Sequence, residues 1–183
     1  MIHEKRPYES LFGGDEPPPP AHLRRYSLLT ARPGEELRVL LTSPKLITCR
    51  THYHPSESKP HVTSGPCPWC AGRGTPRWKG YACCVHVITG KAAIVEVTLN
   101  AVQTCPGLEA KKTSLRGQVL TLRRRGSAPN APVLANLEPA NGTLARIPLP
   151  APFDLWQALL TIWNVSDEEV AKLSGRITDR EGE

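Results

Sequence analysis

Between Thr51 and Tyr81 the sequence reads THYHPSESKPHVTSGPCPWCAGRGTPRWKGY, and this stretch constrains the chain more than any other. It holds a Cys-x-x-Cys pair, Cys67 and Cys70, with histidines at 52, 54 and 61 just upstream. Zinc requires four soft or borderline donors in a tetrahedron, and two cysteines three apart on a tight turn supply two of them at little ordering cost. Gly65-Pro66 and Ala71-Gly72 flank the pair with turn-forming residues. The expected donor set is His52, His61, Cys67 and Cys70 around one Zn2+, with His54 and Cys49 as alternative donors in place of either histidine. A metal-stiffened loop that opens onto Arg77, Trp78, Lys79 and Tyr81 suits nucleic acid better than chemistry.

A chain of 183 residues has room for one domain with an ordinary core plus tails. No apolar run approaches the roughly 18 residues of a membrane span, so a soluble protein without membrane partners is expected. The N-terminus, MIHEKRPYESLFGGDEPPPP, is charged and lacks the apolar stretch of a secretory signal. The six cysteines are therefore expected in a reducing cytoplasm, where thiols bind metal or lie buried. Charge is partitioned: Lys45 to Arg125 carries thirteen Lys or Arg against Glu57, Glu96 and Glu109, whereas 166–183 has six acids against Lys172, Arg176 and Arg180. Positive potential concentrated around the metal loop is what phosphate binding requires.

Read for organisation, residues 1–24 form a polar arm stiffened by Pro17 to Pro20. From Tyr26 the signals are strand-like: YSLLTA, a Pro33-Gly34 turn, ELRVLLT, a break at Ser43-Pro44, and KLITCRT. After the loop, WKGYACCVHVI and KAAIVEVTL read as a hairpin about Thr89-Gly90, followed by RGQVLTLRRR and APVLANLEP. Strands in succession without helical periods between them imply a mainly β, small antiparallel barrel or sandwich over 25–150, with the metal loop at about 49–76. Leu155, Trp156, Leu159, Leu160 and Trp163 share one helix face, and Ser166 with Glu169 forms a capping box for a second short helix, so 151–175 is expected to be helical and 176–183 an acidic tail. The helix carrying Trp156 and Trp163 either closes the barrel or makes a homo-oligomer.

Single strands are held by cations for the backbone and flat rings for the bases. Arg77, Trp78, Lys79 and Tyr81 supply both, with Tyr53, Trp69 and Arg73 from the loop and Arg116, Arg123 and Arg125 from a later strand and its turn. Alternation puts Trp78 and Gly80 on one side of a strand and Arg77, Lys79 and Tyr81 on the other, so they cannot all serve one face. Trp78 is equally suited to anchor a core, whereas Trp69, in a four-residue turn, is expected to be exposed.

The order of a Pro-Gly strand start, Thr51-His52, Cys67-Pro-Trp-Cys70, Arg77-Trp-Lys-Gly-Tyr81, a lysine-led strand ending Glu96-Val-Thr-Leu99 and a later Leu115-Arg-Gly resembles the zinc-containing single-stranded-DNA-binding proteins of phages and mobile genetic elements. The resemblance covers roughly Tyr26 to Pro139. It implies an OB-like barrel with an inserted zinc loop and C-terminal helices, a ligand run His-x8-His-x5-Cys-x2-Cys, and a role in DNA replication or recombination alongside other proteins of those processes. That family more often carries cysteine where His61 stands.

Other classes fit less well. Cys67-Pro-Trp-Cys70 also resembles a thiol-disulfide oxidoreductase motif, but Gly72, Gly74 and Pro76 follow at once, so no helix is expected to start there and stabilise a thiolate. Pro66-Cys67-x-x-Cys70 is half of a zinc deaminase signature, yet no His-x-Glu lies upstream. Three acids and no aspartate between Lys45 and Arg125 disfavour metal-assisted nuclease chemistry. The chain is expected not to be an enzyme. A zinc-ribbon module for RNA or protein is the alternative, and the aromatic content near the loop favours unstacked bases.

Overall fold

The computed structural model describes residues 26–53, 58–62, 66–108, 113–128 and 131–165. The expected N-terminal arm, the second C-terminal helix, the acidic tail and His54 lie outside these residues. Eight strands are described: β1 (Ser27–Leu29), β2 (Glu36–Leu41), β3 (Ile47–His52), β4 (Lys59–Pro60), β5 (Arg77–His86), β6 (Ala92–Thr98), β7 (Gln118–Arg124) and β8 (Val133–Pro139). Three short α-helices accompany them among the described residues: α1 (Cys70–Arg73), α2 (Leu99–Thr104) and, after β8, α3 (Leu155–Ile162). None is long and apolar enough to cross a membrane.

The central strand is β5, the longest of the eight. One edge pairs with β6 from Lys79 to Val85. Its other edge is shared between two strands, with β3 along Arg77 to Tyr81 and β2 along Cys84 to His86. Between β2 and β3 the chain bulges over Cys83, whose carbonyl accepts from the Thr42 and Ser43 amides and whose own amide donates to Ser43 Oγ. Such a bulge bends the strand. β2 is thereby free to pair its outer edge with β7, which pairs in turn with β8.

The resulting order is β1-β6-β5-β2-β7-β8, with β3 and β4 branching from β5. Because β1 runs parallel to β6 while the other pairs are antiparallel, the sheet is mixed. It is also open, in place of the closed antiparallel barrel expected. Among the described residues one isolated bridge, Pro33 to Arg124, links the β1–β2 connection to β7. Helix α2 packs on β8, β6 and β5.

Alternation along β5 and β6 buries both faces. Ala82, Cys84, Ala93, Val95 and Val97 enter a core with Val39, Leu41, Leu120, Leu122 and the α2 residues Ala101 and Val102. Tyr81, Cys83, Ala92 and Ile94 point the other way, onto Leu155, Leu159, Leu160 and Trp163 of α3. Helix α3 thus covers the outer face of the sheet. Asp154 caps its start by accepting from the Gln157 amide, and Asn164, with φ 48, ends it. The Val165 amide bonds the Leu160 carbonyl and the Asn164 amide bonds the Thr161 carbonyl, the pairing of a Schellman cap.

Arg116 secures the approach to α3. Its guanidinium donates to the Thr42, Leu149 and Pro150 carbonyls, pinning the segment before the helix against the β2–β3 bulge.

Candidate metal centre and its surroundings

Local sequence explains how four donors converge. β3 ends at His52, whose partner across β4 is Lys59, so the chain returns and places His61 beside it. The His61 amide donates to the Arg50 carbonyl at 2.7 Å and fixes that return. From the other side, Cys67 and Cys70 are held three apart by a turn in which the Cys70 amide bonds the Cys67 carbonyl. Gly74, with φ 68, then stops α1 and leads the chain into β5. A non-glycine residue there would be strained.

His52 is fully buried, and its Nδ1–H donates to the Gly74 carbonyl at 2.9 Å. A carbonyl only accepts, so this bond fixes the tautomer and leaves the Nε2 lone pair facing the cluster. Nε2 lies 3.0 Å from His61 Nδ1, 3.4 Å from Cys67 Sγ and 3.7 Å from Cys70 Sγ, and His61 Nδ1 lies 3.7 Å from Cys70 Sγ. All four donor atoms fall within 4.8 Å of one another. A tetrahedron's edge is about 1.63 times its radius, so Zn–N near 2.05 Å and Zn–S near 2.3 Å require N···N of about 3.3 Å and N···S of about 3.6 Å. The four distances given, 3.0 to 3.7 Å, lie close to those values, and the cluster could hold a metal ion.

Electrostatics agree with the geometry. Desolvation, followed by the neighbouring His52 and Arg50, holds His61 below the ordinary histidine range, which keeps it neutral and able to donate a lone pair. Desolvation, with Cys67 adding to it, raises the Cys70 thiol. A cation in the centre would displace that proton. Cys49, the alternative donor, is not in the cluster. It packs against the α3 side of the sheet, where burial and then Glu96 push its thiol up to about 12. Cys83 and Cys84 are buried in the sheet, as their lack of metal spacing implied.

The expected nucleic-acid residues divide into three groups. Tyr53, next to the His52 donor, is 69% exposed, and Arg77, Arg123 and Arg125 are exposed, Arg123 lying 3.7 Å from Glu36. Trp78 packs its indole over Gly80, where an added Cβ would meet Leu46 and the Trp78 ring, both at 3.1 Å. Trp78 also packs against the core and is half-buried. Trp69, expected to be exposed, is half-buried as the residue that opens α1.

Three expected contacts are spoken for. Tyr81 is fully buried, edge-on to Trp163, because its side of β5 is the one covered by α3. Its ring cannot stack on a base in this fold. Lys79 points the same way and is paired with Glu96, and Arg116 is bound to three carbonyls. Arg73 ends α1, and its side chain lies outside the described residues. The helical turn at Cys70 also corrects the expectation that no helix starts there, although Gly74 ends it after four residues.

Sequence reasoning passed over Arg50, exposed on β3 directly across from Trp78. The register of β3 on β5 is what makes it a neighbour, and only the alternating pattern of KLITCRT could have signalled its face. Comparison with protein-family models, curated proteins and solved structures yields no match.

Proposed function

We propose that this chain binds single-stranded DNA without strong sequence preference, on a face braced by a zinc ion held by His52, His61, Cys67 and Cys70. The observation that carries the proposal is the half-buried Trp78 indole laid over Gly80, with exposed Arg50 across from it on β3. A flat ring on a strand surface beside a guanidinium offers stacking to any base and charge to any phosphate. Tyr53 and Trp69 belong to the loop that the metal would stiffen, and Arg77 leads from that loop into β5. The concentration of Lys and Arg between 45 and 125 supports the same partner.

Zinc's part in this scheme is structural: four protein donors leave no open position for chemistry. The bent β2–β3 strand shared between β5 and β7, together with the Pro33–Arg124 bridge, supports an OB-like barrel left open beside α2. The resemblance to phage and mobile-element proteins supports a role in replication or recombination. Quenching of tryptophan fluorescence by oligo-dT, oligo-rU and duplex tests the proposal. We expect oligo-dT to quench at concentrations where duplex does not, and affinity to fall with added salt. Tighter binding of oligo-rU would transfer the function to RNA, and no quenching by either single strand would favour a protein-interaction module.

A further inference from the structure

We infer that metal occupancy controls the docking of α3, through a mechanical link running from the donor cluster by way of β4 to the end of the helix. The inference rests on the metal site proposed above and would hold whatever nucleic acid the chain binds. Its starting point is Lys59, a lysine only 7% exposed whose Nζ donates to the Asn164 carbonyl at 2.7 Å. Asn164 is the residue that ends α3, where backbone carbonyls lack helical partners and a cation is favoured. Lys59 also sits directly across from His52, and His61 follows two residues later. One short segment therefore touches both the donor cluster and the helix terminus.

That segment is short. β4 has two residues, both buried and one of them a proline without an amide to donate, and among the described residues it pairs only with β3. Its further ties include the burial of Pro60 and Val62, the His61 amide on Arg50, and His61 in the cluster. With the ion bound, His61 is locked to His52, Cys67 and Cys70, and β4 is held from both ends. Without the ion four donor atoms with no cation between them are left to drift apart, and Lys59 loses its fixed position under Asn164.

The helix is poised to respond. At eight residues α3 is too short to persist by itself and depends on its packing and caps. Its C-terminal end carries Trp163, 1% exposed, edge-on to Tyr81 at 5.5 Å and to Trp156 at 6.0 Å. Loosening there would uncover the apolar face formed by Tyr81, Cys83 and Ile94. The chain would then sense zinc loss as exposure of a buried surface.

The test is amide exchange of the full chain, zinc-loaded and chelated, beside Lys59→Met, which keeps the aliphatic stem and removes the donor. A charge-assisted bond to a carbonyl contributes enough that exchange over 158–165 should quicken at least about tenfold on chelation. β2, β5 and β7 should keep their protection. Lys59→Met should retain one zinc per chain and show the faster α3 exchange already with metal bound, with little further change on chelation. Unchanged protection of α3 while 58–74 loosens would overturn the inference. So would loss of protection throughout the sheet on chelation, which would mean global unfolding. Should Lys59→Met not fold, the wild-type comparison decides alone. Absence of zinc from the purified protein would defeat the metal site itself, a result separate from zinc bound without effect on α3.

Discussion

Replacing Arg116 by methionine separates a structural cation from a nucleic-acid contact. The guanidinium donates to the Thr42 carbonyl at 2.5 Å, to Pro150 at 3.1 Å and to Leu149 at 3.0 Å, and so joins the β2–β3 bulge to the segment entering α3. Hydrogen bonds from a charged donor contribute about 1.5–3 kcal/mol each, which would suggest several kcal/mol for three. The site is only partly buried, however, and water can reach some of the abandoned carbonyls. Methionine also keeps much of the side chain's packing. A loss of about 2–4 kcal/mol is therefore expected, at the upper end of ordinary substitutions. Urea unfolding should show a lower midpoint with an unchanged slope. The salt dependence of DNA affinity should not move, because no phosphate contact is removed. A destabilisation under about 1 kcal/mol, together with a salt slope flattened by about one contact, would refute the structural role.

Trp78→Ala should cost on the order of 1–3 kcal/mol of single-strand affinity with the salt slope unchanged, whereas Arg50→Ala should flatten it by about one contact, both read by titration with oligo-dT. Melting temperatures measured in parallel separate lost binding from lost core, since Trp78 also packs inward. Gly80→Ala should displace the Trp78 ring, costing about 1–3 kcal/mol of stability by overpacking, and calorimetry together with the tryptophan emission spectrum would record it. Zinc affinity should fall as pH falls: desolvation raises the Cys70 thiol, so zinc must displace a bound proton, and protons compete more strongly for the thiolate as their concentration rises. Competition with a chromogenic chelator across neutral pH measures this, and a pH-independent affinity would contradict it.

Much of the sheet can be read from the sequence because its strands alternate and are punctuated. Every long strand from β2 to β8 falls within a segment bounded by Gly, Pro or Ser, and Cys67 with Cys70 announces itself by spacing alone. Helix α2 is not legible in this way, since LNAVQT is apolar on too short a span to show a period; its signal is Thr98, whose hydroxyl accepts from the Ala101 amide. β4 escapes because two residues, one a proline, carry no pattern, yet it places His61 and Lys59. The side-chain fates depend on long-range packing. Nothing local marks Tyr81 as buried beneath α3, or distinguishes Arg116, which binds carbonyls far along the chain, from the exposed Arg125.

The most direct measurement is equilibrium binding of the zinc-loaded protein to labelled oligo-dT and to duplex of equal length over a range of salt concentrations. We expect the single strand to bind more tightly throughout, with log affinity falling by about 0.7 per phosphate contact for each tenfold rise in salt. Duplex binding as tight as, or tighter than, oligo-dT at every salt concentration would contradict the single-strand assignment.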